Sequence, residues 1–107
     1  MKISDFHSAT NSGRLLLVDF YASWCGACSA MEPTLNRLAV ALSDIMTILR
    51  IDTSTATNHE LVQRYNIVAI PTLILFHRGD VLWRESGIVA FDELRTIIRQ
   101  YSSVGIY

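Results

Sequence analysis

The chain has 107 residues, half of them apolar, with nine basic and ten acidic side chains and a formal charge of -1. That length supports one domain with its own core and not two, so residues 1–107 are read as a single unit. The basic residues are spread singly, which disfavours nucleic acid, and no apolar run approaches membrane-spanning length.

In chain order, the N-terminal stretch MKISDFHSATNSG has no apolar signal core and no small-residue cleavage site. Export is therefore not expected from the sequence as it stands, and the cytoplasm is favoured. Ser4 is positioned to cap a short helix running to Asn11, with Gly13 as its stop. Leu15 to Tyr21 then forms a continuous apolar run of strand length, interrupted only by Asp19. Such runs suit a strand buried on both faces, so the carboxylate needs an explanation. It lies either at a solvated sheet edge, or against Arg50 on a neighbouring strand, or in the interior with a chemical role.

Beyond the two cysteines, Ala30, Met31, Leu35, Leu38, Ala39 and Leu42 recur at helical spacing, which predicts a helix over Ala27 to Ser43. Pro33 inside it deletes one backbone bond and is expected to bend the axis, setting the first turn apart. Ile45 to Ile51 reads as a second strand, and Thr57 followed by Glu60 as a capping box for a short helix through Tyr65. The run Leu73 to Phe76, the turn Arg78-Gly79-Asp80 and Val81 to Glu85 make a hairpin. Gly87 ends it, and Phe91, Leu94, Ile97, Ile98 and Tyr101 mark the apolar face of a last helix. The expected class is α/β, a central mixed β-sheet with helices on both faces.

Cys25 and Cys28 are the only cysteines, in Trp24-Cys25-Gly26-Ala27-Cys28. Zinc would need further Cys or His ligands at suitable spacing, and His7, His59 and His77 fall in three separate segments. No intrachain metal or other cofactor is expected, although a metal shared between two chains stays open. Two cysteines do not form a disulfide scaffold for a domain of this size. As apolar filler they would lie on the core face of an element, whereas Cys25 follows a strand, precedes Gly26 and opens a helix. Unpaired amides and the positive helix end there stabilise a thiolate, and a cysteine one turn further on lies within bridging reach. The redox reading makes Cys25 the outward nucleophile and Cys28 the inner, resolving thiol. A desolvated Asp19 has a raised proton affinity and can accept the proton of Cys28.

At this point the sequence resembles the thioredoxin family. Val18-Asp19-Phe20-Tyr21-Ala22, Trp24-Cys25-Gly26, Cys28, Pro33, Ile70-Pro71-Thr72, Gly79 and Gly87 stand in the family's order and at close to its spacing. The resemblance implies that Pro71 follows a cis bond beside the cysteines, and that Ile70 pairs with an extended substrate. It also implies that Trp24, Gly26, Ala27, Ile70, Pro71 and Gly87 form a substrate platform around Cys25. The implied activity is reduction of protein disulfides by a Cys25–Cys28 couple in a monomer that a thioredoxin reductase-type donor recharges. An extracytoplasmic oxidase or isomerase, and a non-catalytic binding module of the same fold, remain the alternatives.

Three departures from the family pattern matter. Ala27 stands where proline is usual, which restores an amide donor and predicts a less reducing couple. Arg50 stands where lysine often partners the buried aspartate, and an arginine does not readily give up its proton. The N-terminus is short for the family's first strand, so that strand is expected to be shortened or missing.

Overall fold

The computed structural model describes residues 1–103. Its elements alternate as the apolar spacing requires: α1 (Ile3–Thr10), β1 (Leu15–Tyr21), α2 (Gly26–Ala41), β2 (Met46–Asp52), α3 (His59–Arg64), β3 (Thr72–His77), β4 (Asp80–Ser86) and α4 (Phe91–Ser103). The strands form one mixed sheet in the order β2-β1-β3-β4. β1 runs parallel to β2 and antiparallel to β3, and β3 and β4 are antiparallel. Among the described residues no strand precedes β1, so β2 is an edge and the family's first strand is missing there.

Strand alternation divides the core into two layers. Leu15 and Leu17 of β1, with Leu73 and Leu75 of β3, pack on Met31, Leu35 and Leu38 of α2 and on Leu94 and Ile98 of α4. On the opposite face, Leu16, Val18 and Phe20 meet Ile74 and Phe76, covered by Phe6 of α1 and Leu61 of α3. Aromatic rings dominate that second layer, with Phe76 5.4 Å from Phe6 and 5.2 Å from Tyr65 between centroids. The β3–β4 turn places Arg78 and Gly79 at φ of 50° and 86°, the paired left-handed conformation of a two-residue hairpin loop.

The structure corrects several local expectations. Ser4 does not cap α1, whose N-cap is Lys2 with no side-chain bond. Thr57 is no capping residue either: a 3-10 turn over Ala56–Asn58 runs directly into α3, and Asn58 makes no capping bond there. Asn58 instead reaches sideways, donating to the Asp52 carbonyl at 2.8 Å and accepting from the Met1 amino group. Tertiary partners thus take the Asn58 side chain away from capping α3, while α1 starts at Ile3, one residue ahead of Ser4. Ala30 and Ala39 fall outside the buried stripe of α2, and that helix continues through Pro33 without a separate first turn.

Candidate active site

Asp19 is the last fully buried residue of β1 on the face covered by α2, following Leu15 and Leu17 at two-residue spacing. Because β1 is interior to the sheet, the solvated-edge reading of Asp19 is wrong: its side chain is 0% exposed. The parallel register sets Arg50 directly across from it, and Arg50 Nε donates to Asp19 Oδ2 at 3.1 Å. Burial and pairing therefore coexist. Burial raises the proton affinity of Asp19 above the ordinary carboxylate range, and the Arg50 hydrogen bond and charge offset only part of that. Asp19 Oδ1 has no hydrogen-bond partner among the described residues.

The chain leaves β1 at Tyr21, turns through Ala22 to Trp24, and re-enters regular structure at Cys25, the N-cap of α2. Cys25 is extended there, and its Sγ accepts the amide N–H of Cys28 at 3.2 Å. The sulfur of an N-cap cysteine thus takes the place of the usual capping oxygen. Both cysteines are free thiols. They are also less unequal in exposure than the sequence suggested, Cys25 being 8% and Cys28 2% exposed. Ala22 and the partly buried Tyr21, Ala27 and Ile70 pack around them. Burial, the neighbouring Cys25 thiol and the Asp19 carboxylate together push the Cys28 thiol up to about 11.

On the far side of Cys25 lies the Ile70–Pro71 bond, which is cis. The Ile70 carbonyl is 3.9 Å from Cys25 Sγ. Thr72 Oγ1 donates to the Ala69 carbonyl at 2.6 Å and bonds Ser86 Oγ at 2.8 Å, and the Gly87 amide donates to the Pro71 carbonyl at 2.8 Å. These bonds tie the loop before β3 to the end of β4. Gly87 has φ of +94°, so the residue that ends β4 also makes the turn that reaches Pro71.

Trp24 is 75% exposed, so its ring stands outside the core. Gly26 faces open space. Val68 and Ile88 are large, exposed and apolar, two residues before Ile70 and one after Gly87. Sequence reasoning passed over both, though their place beside the Ile70-Pro71 and Gly87 positions was the signal. It also passed over Glu32, which is one helical turn beyond Cys28 and so shares its face of α2. A cleft of about 260 Å³ opens beside the inner cysteine, lined by Tyr21, Ser23, Cys28, Ser29, Glu32 and Arg50. Among the described residues no group of three or more His, Cys, Asp or Glu side chains is placed to hold a metal ion, and no helix is long and apolar enough to cross a membrane.

A family model described as Thioredoxin matches residues 1–100. Thioredoxin of Mycobacterium tuberculosis is 35% identical over 107 residues, covering 97% of this chain and 88% of that one. Chloroplastic thioredoxin Y2 of Arabidopsis thaliana is 42% identical over 84 residues, 78% of this chain. The match covers only 49% of that longer relative. Among solved structures, oxidized mitochondrial thioredoxin 3 of Saccharomyces cerevisiae superposes with a TM-score of 0.81 at 25% identity, over 92% of this chain and 90% of that one.

Proposed function

The chain belongs to the thioredoxin family, and from that premise we propose that it reduces protein disulfides by dithiol–disulfide exchange, with Cys25 as nucleophile and Cys28 as resolving thiol. The observation that carries this reading is the sulfur-capped helix start, where Cys25 Sγ accepts the Cys28 amide at 3.2 Å beside the Ile70 carbonyl.

Attack of the Cys25 thiolate on a substrate disulfide forms a new S–S bond and expels one substrate sulfur as a thiolate, which takes up a proton. Cys28 then gives its proton to Asp19, and its thiolate attacks Cys25 Sγ. That step breaks the mixed disulfide, forms the Cys25–Cys28 bond and frees the second substrate thiol. A carboxyl group with raised proton affinity suits a thiol that is itself hard to ionise, because proton transfer is most efficient between groups of closer affinity. Arg50 holds the Asp19 carboxylate in place during this exchange.

For the substrate, the reading assigns an extended segment laid across Trp24, Gly26, Ala27, Ile70, Pro71 and Gly87. The exposed Trp24 ring and the half-buried Ile70 support an apolar platform. The cycle closes when a thioredoxin reductase-type electron donor returns two electrons to the disulfide. A monomer in a reducing compartment, the cytoplasm, completes the proposal. The test is turnover: the pre-reduced chain should cleave the disulfides of a model protein and be recharged by a thioredoxin reductase. No cleavage by the wild-type chain would leave a binding module as the surviving reading, and net oxidation of protein thiols at glutathione poise would leave an oxidase.

A further inference from the structure

Arg50 contacts Asp19 in an unusual way. Arginine and carboxylate commonly meet fork to fork, with two parallel N–H···O bonds. Here a single Nε–H reaches Asp19 Oδ2 at 3.1 Å, while Nη1 turns outward to Glu32 Oε1 at 3.5 Å. The guanidinium plane rests on the Tyr21 ring, with Cζ 4.4 Å from its centroid. One cation is thus shared between a buried carboxylate and a half-exposed one on α2, and the buried Asp19 Oδ1 is left without a hydrogen-bond partner among the described residues.

We infer that Glu32 is a positioning residue for the resolving step: by holding the outer end of the Arg50 guanidinium, it keeps Asp19 Oδ1 open to take the Cys28 proton. The inference rests on the proposed role of Asp19 as proton acceptor. Glu32 and Cys28 lie one turn apart on α2 and line the same cleft, with Arg50. Without the Glu32 charge, Arg50 is free to close its fork on both Asp19 oxygens. Such a clamp covers the accepting atom and weakens the carboxylate as a base. The negative charge of Glu32 also adds directly to the proton affinity of Asp19. The other groups facing Asp19 are Arg50 from β2, Cys28 from α2 with Cys25 at its cap, and the Tyr21 ring under the guanidinium; the facing residue of β3 is the apolar Leu73.

Rapid mixing of the reduced full-length chain with the aromatic disulfide 5,5′-dithiobis(2-nitrobenzoate) separates the two steps. The first coloured thiol marks attack by Cys25 and the second marks resolution by Cys28. In Glu32→Gln the second phase should slow by about threefold to tenfold, part of the general-base contribution, and its pH midpoint should move to lower pH. The first phase should not change. Glu32→Asp should stay within about twofold of wild type, and Glu32→Gln should add nothing in an Asp19→Asn background. A slowed Asp19→Asn second phase with an unchanged Glu32→Gln rate and midpoint would overturn this inference alone. An unchanged second phase in Asp19→Asn would overturn the proton-acceptor reading and this inference together.

Discussion

The two faces of β1 are built alike for most of their length and then part at one residue. On the α1/α3 side Leu16, Val18 and Phe20 are all apolar and end in a nest of rings with Phe6, Tyr65 and Phe76. On the α2/α4 side Leu15 and Leu17 are equally buried, but the third inward position is Asp19. One face only holds the sheet together. The other holds it together as far as Leu17 and then gives up stability to place a carboxylate under the helix start that carries Cys25 and Cys28. A buried charge with one partly exposed partner costs folding free energy, and it persists here where a proton has to move.

Substitutions can separate the two faces. Phe76→Ala removes the ring that touches both Phe6 and Tyr65 and should cost about 3–5 kcal/mol in denaturant unfolding. The rate of disulfide cleavage per folded molecule should be unchanged. If cleavage slowed in proportion, the α1/α3 face would have a share in the chemistry and the division would fail.

Asp19→Asn should act the other way, slowing the resolving phase by about tenfold to a hundredfold while leaving the fold more stable at pH 8, on the order of 1 kcal/mol. The carboxyl binds its proton more tightly folded than unfolded. Its contribution to stability is therefore full below the ordinary carboxylate range and is lost as pH rises through the raised native value. The stability advantage of the variant should accordingly grow with pH through that window and vanish in acid. Urea unfolding of both proteins from pH 3 to 8 checks the sign; an advantage that grows toward acid would mean that Arg50 outweighs burial.

The smallest expected effect comes from Ala27→Pro, which removes one amide donor from the first turn of α2. Loss of that donor beside the reduced couple should lower its potential by about 10–30 mV in equilibration with glutathione. A higher potential would show that Ala27 acts through something other than its amide.

Much of this was legible in the sequence, for definite reasons. Strands with apolar runs, the helix stripe of Met31, Leu35, Leu38 and Leu42, and a cysteine pair between strand and helix are all local patterns tied to geometry. Asp19 stood out because a charge inside such a run is improbable, yet one strand alone does not say whether it lies at an edge or in the middle. The sheet order settled that. Ser4 and Thr57 failed as caps because each lies inside a helical turn rather than ahead of it, and the Asn58 side chain before α3 is held by distant partners instead. The hydrogen bond between Thr72 and Ser86, and the sharing of Arg50 with Glu32, join residues far apart in the chain and had no local signature.

Covalent trapping tests most directly whether the two thiols divide the labour of the exchange, Cys25 attacking and Cys28 resolving. Cys28→Ser, incubated with oxidised protein substrates, should accumulate mixed disulfides through Cys25 that only added dithiol releases. Cys25→Ser should trap little and turn over nothing, because its remaining thiol is 2% exposed and hard to ionise. Equal trapping by both variants, or turnover by Cys25→Ser, would contradict the account.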